Sequence, residues 1–305
     1  MVSMTSNFQV PDYKFLHSPH WRDYELLDSG DGSRLERFGQ YVLVRPDAEA
    51  VWHPSLNDSE WLKADAKFTV SDEKNGGHWV KKPYVPEKWT ISYKDINFSI
   101  QLSGSKQVGV FPEQAAQWDS VSKKIRTAGR PTNVLNLFGY TGLASISAAN
   151  AGADVTHVDA SRKAITWGME NQQLTGSNSG KVRWLVDDAI KFVNRQARRG
   201  SVYDGILMDP PKFGRGPKGE VWDFYKWLPT LLESCKTILS EKPLFFLITA
   251  YAVKASALTL NHALRDILPA GSGAYEMGET ILAEQSGKHL LSTSVYCMWS
   301  STINE

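Results

Sequence analysis

Val134-Leu-Asn-Leu-Phe-Gly-Tyr-Thr-Gly142 is an apolar run that breaks at a glycine-containing turn. Leu143 to Ala153, directly after it, is Ala-rich and helical in pattern. Val134, Leu135, Leu137 and Phe138 have the composition of a central parallel strand covered on both faces. Gly139 and Gly142 are expected to permit tight backbone geometry and close approach of a ligand. In an open α/β sheet, a first strand that turns straight into a helix is where a nucleotide-like ligand sits. The glycines do not follow the G-x-G-x-x-G spacing of dinucleotide-binding turns.

Downstream the pattern repeats. Val155 to Asp159 reads as a second strand ending in an acid, and Val182 to Val186 as a third, followed by Asp187-Asp-Ala189. Tyr203 to Met208 reads as a fourth, ending in Asp209-Pro-Pro-Lys-Phe213. Helices are expected at 112–128, 143–152, 161–174, 188–199, 222–240 and 254–267, with a further strand at 243–250. Ala274–Leu282 and His289–Trp299 read as two closing strands without a helix between them, which implies one antiparallel strand. Strand–helix alternation argues for a mostly parallel sheet with right-handed crossovers. The fold class is therefore α/β and Rossmann-like, the last strand antiparallel.

Upstream, residues 21–103 read as β-rich. Strand candidates are Tyr24–Leu27, Gln40–Val44, Lys67–Val70 and Ile96–Leu102, with turn signals at Asp28–Gly32 and Asn75-Gly-Gly77. Residues 71–88 are polar, contain Pro83 and Pro86, and suit a loop. Trp21, Trp52, Trp61, Trp79 and Trp89 are expected to pack this region's core, with base stacking as the minor reading. The division is an N-terminal β-rich region, 1–100, and a second domain, 101–305.

Composition narrows the class. The chain has 305 residues, 42% of them hydrophobic, and a net charge of +1. Bulk attraction to nucleic acid is not indicated, although a local basic patch is compatible with that balance. Met1–Leu16 lacks an apolar signal-type core, and the longest apolar run, Leu244–Val253, is too short to span a bilayer. Two cysteines and seven scattered histidines form no metal-type spacing, so no metal is expected. The expectation is a cytoplasmic protein with reduced thiols.

The Val134–Gly142 turn fits the motif of class I S-adenosylmethionine (SAM) methyltransferases, with Asn136 where that motif usually carries an acid. SAM presents an adenine, a ribose diol, a sulfonium and an amino-acid end. Asp159, with Ala160 and Ser161 after it, is placed to accept from the ribose hydroxyls; helix capping is a compatible role. Asp188 can accept from the adenine amine while the Ala189 N–H donates to the ring, with Asp187 as the rival acid. Asn136 can bind the methionine ammonium, and Phe138 and Tyr140 line that end. Asp209, Pro210 and Pro211 put a carboxylate and two rigid residues at the mouth of strand four. Phe213 follows as a flat apolar face. The Gly-rich loop Lys212–Gly219 carries Lys212, Arg215 and Lys218, which could position a phosphate backbone. Arg195, Arg198 and Arg199 complement a helix dipole.

Together, Leu135–Gly142, Val158-Asp-Ala-Ser161, Asp187-Asp-Ala189 and Met208–Phe213 resemble the bacterial class I enzymes related to large-subunit ribosomal-RNA cytosine-5 methyltransferase I. Gln107–Gln114, including Gly109, is similar to that family's cofactor-covering segment. The resemblance spans about residues 96–299. It implies a SAM-dependent methyltransferase with an RNA substrate and a role in rRNA processing. Two departures qualify it. Thr249-Ala-Tyr-Ala252 stands where the family has its S-C-S-G cysteine, which cytosine C5 chemistry needs for covalent addition. Tyr251 becomes a candidate substrate contact instead. The family's RNA-binding PUA domain is not recognisable in 1–95. The expected reaction is in-line displacement at an N or O atom, the protein contributing positioning and desolvation. Methylation of a small molecule or protein, a non-catalytic SAM-binding module and a nucleotide-dependent oxidoreductase are the alternatives; the antiparallel last strand and the D-P-P motif argue against the last.

Overall fold

Val134, Leu135 and Leu137 are fully buried, because the strand that carries them, Thr132–Leu137, lies inside the largest sheet. In that sheet the order is Tyr13–Leu16, Gly273–Ala283, Leu290–Ser301, Phe245–Ala250, Gly205–Met208, Thr132–Leu137, Ala153–Asp159, Val182–Val186. Leu290–Ser301 runs antiparallel to both neighbours, while the other pairings are parallel. The structure is a computed structural model and describes residues 12–71, 76–176, 180–268, 271, 273–287 and 289–302.

Alternation along the strands builds two cores. Leu135, Leu137, Ile206, Met208, Phe246 and Ile248 pack with the helices Ala189–Arg198, Phe224–Lys236 and Ala257–Ile267. Val134, Val155, Leu207, Phe245 and Leu247 pack against Ala115–Thr127 and Leu143–Asn150. Each such side chain removed from water contributes roughly 1.5–3 kcal/mol. With helices on both faces, the sheet offers a ligand only its C-terminal edge.

The N-terminal region is β-rich. Tyr24–Gly30, Ser33–Phe38, Tyr41–Pro46, Ala66–Val70 and Gly77–Lys81 form a five-stranded sheet in sequence order. Lys88–Tyr93 and Ile96–Gln101 form a hairpin. Their core runs without a break into Trp118, Leu143, Ile146, Leu282 and Leu291 of the larger unit. Four of the five early tryptophans, Trp21, Trp52, Trp79 and Trp89, pack against this core, while Trp61 does not join it. The indole N–H groups of all five donate to Pro112 O, Ser29 O, Asp28 Oδ2, Ser105 O and Phe38 O at 3.0–3.1 Å.

Four local expectations need correction. Residues 77–81 are a strand and not loop, because Phe68 and Trp79 pair across it with ring centroids 5.4 Å apart; the turn residue Asn75 lies outside the described residues. Tyr13–Leu16, inside the stretch read as the N-terminal appendage, pairs with Gly273–Ala283 and belongs to the large sheet. The Gly-rich segment after Pro211 is a hairpin, Phe213–Arg215 against Val221–Asp223. The helix read from 222 therefore starts at Phe224, where the Asp223 carboxylate accepts from Lys226 N–H at 3.2 Å.

Candidate functional site

Parallel register brings the polar strand ends to one level. Met208 lies beside Leu137 and Ile248, Leu137 beside Val158, and Asp159 beside Val186. The residues just beyond these positions surround an open cleft of about 1420 Å³. A smaller inner cleft of about 640 Å³ continues beneath it and shares Phe111, Phe138, Tyr140 and Asp209.

The loop after the first strand is held open by strain and by packing. Phe138 and Tyr140 have φ of 56° and 53°, left-handed values that non-glycine residues seldom adopt and that cluster at functional sites. The Tyr140 N–H donates to Asp159 Oδ2 at 2.9 Å, and the Ser161 N–H to Asp159 Oδ1 at 2.7 Å. Asp159 therefore organises two loops while lining the open cleft. Burial raises its pKa, against the two backbone N–H groups. Ser161 also caps the next helix, accepting from Ala164 N–H at 3.2 Å.

The glycines were expected to make room for a ligand; Gly139 lines the inner cleft, and Gly109, Gly139 and Gly142 all make room for the protein's own side chains as well. A Cβ on Gly139 would lie 2.3 Å from the His157 ring, and one on Gly142 2.3 Å from Trp184. Gly109 meets Trp167 in the same way, at 2.2 Å. The close approach is by aromatic side chains of the protein itself, and neither Gly109 nor Gly142 lines either cleft.

Asn136 lines the inner cleft, and its Nδ2 donates to Ser145 Oγ at 2.9 Å. Ser145 Oγ is in turn 2.9 Å from His157 Nδ1. Burial pushes His157 down to about 3, so it stays neutral. With the amide nitrogen committed to Ser145, Asn136 keeps its oxygen as an acceptor.

On the third strand Asp187 and Asp188 both line the open cleft. Asp188 Oδ1 caps the following helix through Lys191 N–H at 2.9 Å, and Asp187 is ion-paired to Arg195. Arg195, expected to answer a helix dipole, thus has a specific partner. Ala189, Ala160 and Ser161 complete this wall.

Asp209 stands where the clefts meet. Its Oδ2 accepts from Gln114 Nε2 at 2.6 Å, whereas Oδ1 is out of contact with solvent and has no partner. Desolvation pushes its pKa up to about 7; the Gln114 bond opposes the rise and nearby Glu113 adds to it. Pro211 and Tyr251 line the open cleft beside it, while Pro210 is buried behind. The Trp222 indole donates to Pro211 O at 2.6 Å and closes the wall with Phe138, ring centroids 4.8 Å apart. Of the hairpin, Gly214, Arg215 and Gly216 line the cleft. Lys212, Phe213 and Lys218 do not: the strand turns the Phe213 ring outward, 64% exposed, with the Lys212 ammonium over it at 5.5 Å.

Sequence reasoning missed Gln114 as a partner of Asp209, and Trp222 and Trp167 as cleft walls. Only the Gln107–Gln114 segment carried a signal for the first. Among the described residues no group of His, Cys, Asp or Glu could hold a metal ion, and no helix is long and apolar enough to cross a membrane.

Comparison with known proteins agrees with this geometry. The profile of the S-adenosylmethionine-dependent methyltransferase family matches residues 71–256. A crystal structure of a SAM-dependent methyltransferase from Agrobacterium tumefaciens superposes with a TM-score of 0.90 at 44% identity, covering 96% of this chain and 94% of that one. Ribosomal RNA large subunit methyltransferase I of Klebsiella pneumoniae is 40% identical over 199 residues, 61% of this chain and 49% of that protein. Ribosomal RNA large subunit methyltransferase K/L of Shewanella frigidimarina is 31% identical over 192 residues, 61% of this chain and 24% of that protein. The chain thus spans about a quarter of one of these curated relatives and about half of the other. A profile match over most of the chain and a near-complete structural superposition at 44% identity lead to one conclusion: the chain belongs to the S-adenosylmethionine-dependent methyltransferase family.

Proposed function

We propose that the chain methylates a nitrogen or oxygen atom of RNA, with SAM as the methyl donor and Asp209 as the group that orients the acceptor and takes its proton. One observation carries the reading. Asp209 Oδ1 is a shielded, unpartnered oxygen at the junction of the two clefts, on a carboxyl whose other oxygen is fixed by Gln114. The names of the rRNA methyltransferase relatives support the substrate class. The division near residue 100 into an N-terminal β-rich region and a methyltransferase domain is part of this reading.

The residues present fit SAM. Gln117 Nε2 and Trp118 Nε1 are further buried polar atoms without partners, and both residues line the inner cleft with Asn136. Such atoms seldom go unused. Asn136 would take the ammonium, Asp159 the ribose diol, and Asp188 with Ala189 the adenine. Bound there, SAM supplies an electrophilic methyl group on a sulfonium. Phe138, Tyr140 and Trp222 would exclude water, and Asp209 would hold the acceptor's proton. Asp159→Ala should weaken SAM binding by roughly 1.5–3 kcal/mol, the range for a hydrogen bond to a charged group. Calorimetric titration with SAM is the check, and unchanged affinity in both Asp159→Ala and Asp188→Ala would sink this assignment.

The reaction would proceed without a covalent enzyme adduct. Ala250 stands in the position of the family's cysteine, and Cys235 and Cys297 are fully buried, with burial pushing both thiols up. Cys235→Ser and Cys297→Ser should retain transfer. A trapped adduct with 5-fluorocytosine-substituted RNA would contradict the direct route.

Transfer of tritiated methyl from SAM to rRNA, tRNA, protein and small-molecule fractions tests the function as a whole. Label in a protein or small-molecule fraction, with none in RNA, overturns the RNA reading. Arg215 on the cleft wall and Lys218 at the hairpin tip would contact phosphate. Arg215→Ala with Lys218→Ala should weaken RNA binding and reduce its salt slope by roughly 1–2. Filter binding across a salt series reads this, and a salt-independent affinity in the parent protein would count against RNA.

A further inference from the structure

Gln114, Gln117, Trp118 and Val121 follow the helical spacing i, i+3, i+4, i+7, and all four line the inner cleft. They form one face of the segment that runs from Pro112–Gln114 into Ala115–Thr127. A helix face turned to the interior is normally apolar. Here three of its four side chains carry an N–H donor, and Gln117 and Trp118 are each only 4% exposed. Burying a donor without a partner is costly, so this face needs a reason.

Among the described residues, the side-chain nitrogens lining the inner cleft belong to Gln114, Gln117, Trp118 and Asn136. Gln114 Nε2 is committed to Asp209 Oδ2, and Asn136 Nδ2 to Ser145 Oγ. Gln117 Nε2 and Trp118 Nε1 have no partner. Both side chains are nevertheless fixed. Gln117 Oε1 accepts from Thr249 Oγ1 at 3.2 Å. The Trp118 ring meets those of Tyr93 and Trp21 edge-on, with centroids 5.8 and 6.4 Å away. Asp209 is the one charged side chain among the described residues of this cleft, whereas Lys163 and Arg215 line the open cleft only.

We propose that Gln117 Nε2 and Trp118 Nε1 bind the carboxylate at the methionine end of SAM, so that this chain holds that group without a cationic side chain. The proposal rests on the cofactor placement above and fills the part of SAM that placement leaves without a partner. Adenine, ribose diol and ammonium have theirs; the carboxylate does not. An ionised carboxylate only accepts, and an indole N–H only donates, so the two match. With the Asn136 oxygen in the same cleft, acceptor meets ammonium and donors meet carboxylate. Neutral donors also suit the sulfonium. In a desolvated site a lysine or arginine beside the carboxylate would repel that fixed positive charge as well.

Decarboxylated SAM keeps the adenine, ribose, sulfonium and ammonium and lacks only the carboxylate. Calorimetric titration of the full chain with SAM and with this analogue reads the proposal without any methyl transfer. The parent should prefer SAM by about tenfold or more. Trp118→Phe should weaken SAM binding roughly tenfold to a hundredfold, as loss of a hydrogen bond to a charged group does, and leave the analogue within about threefold. Gln117→Glu keeps the shape of the side chain and sets a carboxyl against the carboxylate. It should weaken SAM and spare the analogue, so that the preference narrows or reverses. Thermal midpoints show that each variant is folded, and Gln117→Glu decides alone if Trp118→Phe is not. A parent that binds both ligands equally, or variants that weaken both by one factor, overturns the carboxylate assignment while Asp159→Ala still weakens SAM. Unchanged SAM affinity in both Asp159→Ala and Asp188→Ala overturns the cofactor placement itself.

Discussion

Replacing Asp209 with asparagine is expected to lower the methyl-transfer rate by about 10²–10⁴-fold, the usual contribution of a positioned proton acceptor. SAM affinity should stay within about twofold, because the lost interaction is made with the reacting acceptor. The pH profile gives a second readout. The Asp209 carboxyl titrates at about 7 because desolvation disfavours its charged form. As pH rises through 7 the proton-accepting form accumulates, so the parent's rate should climb and then level off. Asp209→Asn should lack that limb. Stability moves in the opposite direction. The folded pKa lies above the ordinary value of about 3.9, so this group's contribution to stability is full below pH 4 and is lost as pH passes 7. The asparagine variant should therefore be more stable than the parent at pH 8. Denaturant titrations at pH 5 and pH 8 separate the two effects. A variant with normal rate and an unchanged pH limb would remove Asp209 from the chemistry.

Gly142→Ala is expected to carry a large cost to the fold. Its φ is +79°, so an alanine pays roughly 1–2 kcal/mol for the left-handed backbone. The new Cβ would stand 2.3 Å from the Trp184 ring, a ring so closely approached that a Cβ on Gly168 would also meet it, at 2.5 Å. Overpacking of this kind adds about 1–3 kcal/mol. A total loss of about 2–5 kcal/mol should appear as a lower denaturant midpoint with an unchanged slope. SAM should restore part of the loss by mass action if the loop still closes. A midpoint equal to the parent's would mean that the loop and Trp184 move apart easily.

The two glycine environments mark where the sequence could be read and where it could not. The strand Thr132–Leu137 was legible because Val134, Leu135 and Leu137 lie close together, interrupted by Asn136 alone, and its turn residues follow at once. Asp159, Asp187 and Asp209 were legible because each ends such a run, and the parallel register carries them to one edge. The partners of those residues were not. Trp184 fits against Gly142 and Gly168, and His157 under Gly139, by contacts that no spacing encodes. Gln114 finds Asp209 from 95 positions away. The strand Ser33–Phe38 was not among the strand candidates, and its charged Arg34 and Glu36 give no apolar signal. Both are buried, Glu36 between Arg34 and Arg45 with Tyr24 donating to it at 2.9 Å. Arg45 holds Glu36 at 2.6 Å, and the charges of Arg34 and then Arg45 depress the Glu36 pKa against its burial. The hairpin at 213–223 escaped for a related reason. Glycine and proline announced a turn, while the three-residue strands beside it draw their stability from each other and from Trp222.

Tyr13 faces Met277 across the edge of the large sheet. A ribosome that adds about 5–20 residues each second needs roughly 10–50 s to travel between those two positions. During that interval the early strand has no template, although the five-stranded sheet next to it in sequence can already close on itself. The edge is thus finished in reverse: the segment made before its partner must wait for it to dock. The strand is held by a short, four-residue ladder and by the Tyr13–Glu279 and Lys14–Glu276 side-chain contacts, which are exposed. This strand is consequently the place where the native sheet would begin to fray, and where amide protons would exchange first.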